Sequence, residues 1–241
     1  MKTILITGGA KGIGKAIAYE FAKKGYNVVI TYKTSEEEAT RIKEELTNYG
    51  KTVEIYKADV SKKDDVKKLV EFTLNKFGKI DVLVNNAGIS EIIPFAEMEE
   101  ENWDNMINNN LKSVYLMTKE VIESMIHNKY GHIINISSVW GISGASCEVH
   151  YSAAKAGIIG FTKALAQEMG PSNIKVNSIA PGIINTDMNK ELSKEEIEEI
   201  QEDIPIGEIG KVEDVAKTAV FLAESDYITG EVIRVDGGWK I

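Results

Sequence analysis

The sequence predicts a doubly wound α/β protein: a parallel sheet of about seven strands with helices on both faces. Two observations carry this. Strand-like apolar runs alternate with amphipathic stretches through all 241 residues, the pattern of repeated βα units. Runs such as Val82–Val84 and Ile133–Ile136 lack polar alternation, as strands covered on both faces do. Strands are expected at 3–7, 27–31, 52–57, 80–84, 131–137, 174–179 and 231–235. Helices are expected near 13–24, 36–49, 62–77, 101–127, 151–169, 190–202 and 212–223. Ser35 with Glu38, and Ser61 with Asp64, have capping-box spacing and place two helix starts. No linker, repeat or low-complexity segment interrupts the series, so residues 1–241 are expected to form one domain.

Composition narrows the partners. A hydrophobic fraction of 43% supplies a full core. The net charge of −9 disfavours nucleic acid and anionic membrane surfaces. A single cysteine, Cys147, excludes an internal disulfide and fits a reducing compartment. The first seven residues read straight into a strand, too short for a signal peptide, and no stretch approaches a membrane span. A soluble cytoplasmic protein is expected. The histidines at 127, 132 and 150 lack metal-ligand spacing, so no metal is expected.

The first expected strand runs into Gly8-Gly-Ala-Lys11-Gly12-Ile13-Gly14, which opens a helix. Glycines admit a pyrophosphate close to the backbone, and the helix start offers amide donors and positive dipole. This strand–turn–helix context points to a dinucleotide. The second strand ends Thr31-Tyr32-Lys33-Thr34-Ser35, with no acid before Glu36 to hold a ribose 2′-hydroxyl. Lys33 and Lys11 each read equally as solvated surface residues. Their joint placement and the missing acid favour NADPH over NADH. Asp59 and Val60 either meet an adenine edge or form a turn before Ser61. Asn85-Asn86-Ala87-Gly88 either borders the cofactor or is turn chemistry.

Tyr151 and Lys155 lie four apart and share one helix face. A fixed ammonium beside a phenol favours the phenolate, so the Tyr151 pKa is expected to fall. Ser138 lies thirteen residues upstream. The set reads as proton-transfer chemistry on a carbonyl or alcohol.

Taken together, the glycine turn, Asn86-Ala87-Gly88, Asn110, Ser138, Tyr151-x3-Lys155 and Pro181-Gly182-x3-Thr186 resemble, in order and spacing, the short-chain dehydrogenase/reductase family. The likeness covers the whole chain and implies a Rossmann-type fold. Within the family the sequence is most similar to the 3-oxoacyl-[acyl-carrier-protein] reductases, including the stretch from Ala180 to Met188. The resemblance implies that Tyr151 gives its proton to the carbonyl oxygen as hydride arrives. It implies that Lys155 holds the ribose hydroxyls and that Ser138 meets the substrate oxygen. Asn110 would position a relay water, and Thr186 with the Ile184 backbone would hold the carboxamide. Gly88 would leave room beside the nicotinamide ring.

The chain departs from the acyl-carrier pattern in two places. Where that pattern carries arginines for the carrier protein, this chain has Lys129, Ser172 and Glu208. Before Tyr151, the stretch from Trp140 to Val149 is similar to reductases that finish a 5-aminopentanone modification on elongation factor P. There Glu148 either pairs with a substrate ammonium, or faces water or caps the next helix. The acid-rich run 191–203 is expected to be a helix over the substrate cleft. Two helices, from Trp103 to Ile126 and from Ala153 to Ala166, are apolar over most of their circumference. Either they are well covered within one chain, or they meet a second subunit in a dimer or tetramer, the reading favoured here.

Overall fold

The computed structural model describes residues 1–48, 50, 52–187 and 193–240. Seven strands form one sheet in the order β3-β2-β1-β4-β5-β6-β7. They are β1 (Thr3–Ile6), β2 (Asn27–Tyr32), β3 (Val53–Lys57), β4 (Val82–Asn85), β5 (Gly131–Ile136), β6 (Ile174–Pro181) and β7 (Val232–Val235). Every pairing is parallel. Ile4 is in register with Val28 on one side and Val82 on the other.

The helices are α1 (Gly12–Lys23), α2 (Glu36–Thr47), α3 (Lys63–Phe77), α4 (Glu100–Ile107), α5 (Ser113–Asn128), α6 (Trp140–Ser143), α7 (Val149–Met169), α8 (Lys194–Asp203) and α9 (Val212–Glu224). Successive strand residues point to opposite faces. Ile4, Ile6, Val28 and Ile30 therefore pack with α1, α2 and α9, while Leu5, Val29, Leu83 and Ile133 pack with α3 and α5. Both faces are apolar, which is why the strand sequences show no alternation.

The expected helix over 101–127 is interrupted. Between α4 and α5 the backbone forms a π-turn over Asn108–Lys112. The cause is local. The Asn109 side chain donates to the Asn105 carbonyl at 2.9 Å, and Asn110 Nδ2 to the Met106 carbonyl at 3.1 Å. Side-chain amides thus take carbonyls four residues back, and the α-helical ladder gives way.

The capping box expected at Ser61–Asp64 does not form. The α3 N-cap is Lys62, and the Ser61 hydroxyl donates instead to Asp59 Oδ1 at 2.6 Å. Ser35 does precede α2, but its side chain makes no cap hydrogen bond. Of the helix expected over 190–202, residues 190–192 lie outside the described residues, as do Tyr49 of the helix expected over 36–49 and Met188 of the Ala180–Met188 stretch.

A buried amide ladder links the centre of the sheet to the helices. Asn85 Nδ2 donates to Asn135 Oδ1 at 2.9 Å, and Asn135 Nδ2 donates to Thr162 Oγ1 at 2.9 Å. It fixes β4 and β5 against α7, the helix that carries Tyr151 and Lys155.

Candidate active site

The strand order reverses between β1 and β4, and a cavity of about 1010 Å³ opens at the carboxyl ends of the strands there. It is lined at one end by Gly8, Lys11, Gly12, Ile13, Lys33, Asp59 and Val60. Asn86, Ala87 and Gly88 lie along its middle, with Pro181, Gly182, Ile184 and Thr186. Asn110, Ser138, Glu148, Tyr151 and Lys155 line it as well. One cavity therefore gathers these sequence-predicted residues from eight separate segments. Gly14 is the exception: it lies beneath the turn.

The turn is built so that only glycine fits. Gly8 has φ +63° and Gly12 φ +51°, left-handed backbone that strains other residues. A Cβ on Gly14 would lie 2.4 Å from the Gly8 carbonyl oxygen. Asn86 Nδ2 donates to the carbonyls of Thr7 and Gly8, both at 3.0 Å. The Gly8 N–H donates to Thr31 Oγ1 at 3.2 Å. The turn is thus held from β4 and β2 and leads into the start of α1, where the N-cap residue Lys11 makes no side-chain cap hydrogen bond. Such a rigid, close-approach cradle at a helix N-terminus fits a dinucleotide pyrophosphate.

Lys11 and Lys33 both reach the cavity, but each has a carboxylate partner. Lys11 Nζ lies 2.8 Å from Glu38, and Lys33 Nζ lies 2.8 Å from Asp59. Burial pushes the Asp59 carboxyl up. Hydrogen bonds from Lys33 and Ser61 outweigh it and hold the group below its ordinary value. Asp59 thus serves the turn before α3 and faces the cavity at once.

The proton-transfer end is more enclosed. Tyr151 and Ser138 are buried, and Lys155 is only 4% exposed. Lys155 Nζ donates to the Ile136 carbonyl at 3.0 Å and sits 5.5 Å from the Tyr151 ring centroid. Burial alone lowers its pKa to about 8. Burial raises the Tyr151 phenol to about 12; the nearby Ser138 hydroxyl pulls it down, and the Glu148 charge adds to the rise. The expected depression by Lys155 is therefore overturned in the protein alone. Removing the phenol from water dominates, and the neighbouring ammonium is turned toward a backbone carbonyl.

The π-turn aims Asn110 inward. Its Nδ2 donates to the Ile89 carbonyl at 3.0 Å, and its Oδ1 accepts from the Ile89 N–H at 3.2 Å. A Cβ on Gly88 would lie 2.5 Å from that Oδ1, so Gly88 leaves room for Asn110 itself. Gly141 plays a similar part: its Cβ would lie 2.6 Å from the Lys155 carbonyl carbon, so α6 packs directly on the Lys155 backbone.

Sequence reading missed several walls of the cavity. Trp140 and Trp239 both line it, with ring centroids 4.9 Å apart, and Lys240 Nζ lies 4.5 Å from the Trp239 centroid. Ser90, Glu91 and Ile92 line it from the loop after β4. Trp140 opens the stretch already noted before Tyr151, but nothing in the sequence marks the others, since the chain ending and the loop after β4 reach the site only through the fold. Glu148 is half-buried, accepts from Ser90 Oγ at 3.2 Å, and burial raises its pKa.

A parallel doubly wound sheet, a glycine cradle at its switch point and an enclosed Ser–Tyr–Lys set define a nucleotide-dependent oxidoreductase. Comparison with known proteins agrees. Residues 8–240 match the family described as Enoyl-(Acyl carrier protein) reductase. The chain is 46% identical over 239 residues to the 3-oxoacyl-[acyl-carrier-protein] reductase FabG of Chlamydia trachomatis, covering 98% of this chain and 96% of that protein. It is 45% identical to the FabG of Thermotoga maritima, covering 100% of this chain and 98% of that one. It is 40% identical to the FabG of Staphylococcus epidermidis, covering 98% of each. The chain belongs to the short-chain dehydrogenase/reductase family. It is a nicotinamide-dependent enzyme acting on a carbonyl or hydroxyl group. Among the described residues, no helix is long and apolar enough to cross a membrane.

Proposed function

We propose that the chain, acting as one cytoplasmic domain, reduces a 3-oxoacyl thioester carried by acyl carrier protein to the 3-hydroxyacyl product, using NADPH. The bound nicotinamide supplies the hydride. The observation that carries this reading is the enclosure of Ser138, Tyr151 and Lys155 in the cavity that also holds the glycine cradle. A phenol held at about 12 keeps its proton at neutral pH, the form a proton donor to a nascent alkoxide needs. Ser138 holds the same oxygen as charge develops on it. Lys155 binds the ribose hydroxyls, and Asn110 holds a water on the path that restores the Tyr151 proton. The cradle Gly8, Gly12, Ile13 and Gly14 takes the pyrophosphate; Asp59 and Val60 meet the adenine. Asn86, Ala87, Gly88, Pro181, Gly182, Ile184 and Thr186 border the nicotinamide half. Lys11 and Lys33 take the 2′-phosphate by exchanging Glu38 and Asp59 for it. The reading is tested by NADPH oxidation with an acetoacetyl thioester. It requires turnover that Tyr151→Phe abolishes, and weaker use of NADH.

A second reading is favoured by Glu148, a half-buried carboxylate on the cavity wall with a raised pKa. It would pair with the ammonium of an aminoketone such as the 5-aminopentanone on elongation factor P. If Glu148→Gln leaves turnover of a primary-amine ketone untouched, that reading fails. We also propose a homo-oligomer. Trp103 and Tyr115 on one side, and Phe221 and Tyr227 on another, are 38%, 51%, 52% and 102% exposed, apolar surface that a subunit contact would cover. Gel filtration of the purified chain tests this.

A further inference from the structure

The loop after β4 is fastened to the start of α7 by three contacts. The Ile93 N–H donates to the Cys147 carbonyl at 2.8 Å. The Ser90 hydroxyl donates to Glu148 Oε1 at 3.2 Å. Glu91 Oε2 lies 3.2 Å from His150 Nε2. A carboxylate only accepts, so Nε2 is the donor and the ring tautomer is set by Glu91. His150 is fully buried, its Nδ1 has no partner among the described residues, and it directly precedes Tyr151.

Glu91 has a second hold. Its two carboxylate oxygens accept from Asn102 Nδ2 at 3.2 and 3.3 Å. Asn102 sits in the first turn of α4, where its Oδ1 accepts from the Glu99 N–H at 3.1 Å. Helix α4 runs directly into the π-turn that carries Asn110. One carboxylate on the cavity wall therefore joins the helix bearing Tyr151 to the helix leading to Asn110.

We propose that Glu91 is a positioning residue for carbonyl reduction. Through His150 and Asn102 it fixes the separation between the Tyr151 phenol and the Asn110 amide, which rests on the reading that Tyr151 gives the proton. Neither Glu91 nor His150 need touch the reacting atoms. The loss of either lets α7 and α4 drift by a fraction of an ångström, which weakens proton delivery without disturbing the glycine cradle on the far side of the cavity.

The test compares Glu91→Ala, His150→Gln and the double variant in the full chain, with Tyr151→Phe beside them. kcat, KM and the NADPH dissociation constant are measured for each. Glu91→Ala should lower kcat roughly tenfold and leave the NADPH dissociation constant within about twofold, since the cradle is untouched. His150→Gln should also lower kcat, and the double variant should fall no further than Glu91→Ala alone, because both act through one link. An unchanged kcat in Glu91→Ala, additive losses in the double variant, or a matching loss of NADPH binding each overturn the proposal. If Tyr151→Phe keeps its activity, the proton-donor reading itself fails. If Tyr151→Phe is inactive while Glu91→Ala is normal, only the positioning role fails.

Discussion

His132 makes the stability of this protein depend on pH in a way that can be worked out in advance. It lies in β5, 1% exposed, with the Tyr130 ring 5.4 Å away. Burial first, and then the charges of Lys175 and Lys2, push its pKa down from 6.5 to about 4. An unfolded chain takes up the proton near 6.5, while the folded chain resists until about 4. The unfolded state therefore binds more protons between these values. Stability is full above about 6.5, declines as pH falls from there toward about 4, and levels off below. Two and a half pH units at about 1.4 kcal/mol each set a ceiling of about 3 kcal/mol. About 2 kcal/mol of it is lost between pH 7 and pH 5. His132→Leu keeps much of the volume and removes the titration. Denaturant unfolding of both proteins at the two pH values measures the difference. The wild type should lose about 2 kcal/mol more than the variant over this interval. Equal losses in the two proteins would refute the assignment to His132.

Other outcomes are expected at the site. Tyr151→Phe should cut carbonyl reduction by about a thousandfold while NADPH still quenches protein fluorescence, since the phenol serves the proton and not the cradle. Gly14→Ala should weaken cofactor binding and cost about 1–3 kcal/mol of stability, read by thermal unfolding, because its Cβ meets the Gly8 carbonyl oxygen at 2.4 Å. Gly88→Ala should lower kcat by roughly tenfold or more through displacement of Asn110, measured in steady-state turnover. Lys155 carries its charge below about 8 and loses it above. NADPH affinity, followed by titration across that range, should therefore fall as pH rises through about 8, and the dependence should vanish in Lys155→Met.

The sheet was legible because burial on both faces leaves a plain mark. Ile4 and Ile6 serve one core and Leu5 the other, so the run from Ile4 to Ile6 has no polar gap for a period to show. That Ser138, Tyr151 and Lys155 share one cavity with the glycine turn was legible from their order and spacing, because residue types suited to proton transfer stand out from the apolar pattern. The π-turn was not: the apolar spacing from Trp103 to Ile126 continues across it, and only the asparagine side chains at 109 and 110 decide the backbone. The Tyr151 shift was read with the wrong sign because a pair spacing shows a neighbour but not the depth of burial. Ser61 showed the same weakness on a small scale. Its spacing to Asp64 suited a cap, but Asp59 competes for the hydroxyl. Trp239 and Glu91 reach the cavity from segments far apart in the chain, and no local pattern announces such convergence.

The extra residue that the π-turn Asn108–Lys112 takes up sets the angular phase of everything after it. Each residue of a regular helix turns the next by about 100°. Deleting a single asparagine there would restore an uninterrupted spiral from Glu100 to Asn128 and rotate Asn110 away from Ile89, while the sheet stayed intact. Length alone, with no change in side-chain chemistry, would then separate a folded protein from a working one.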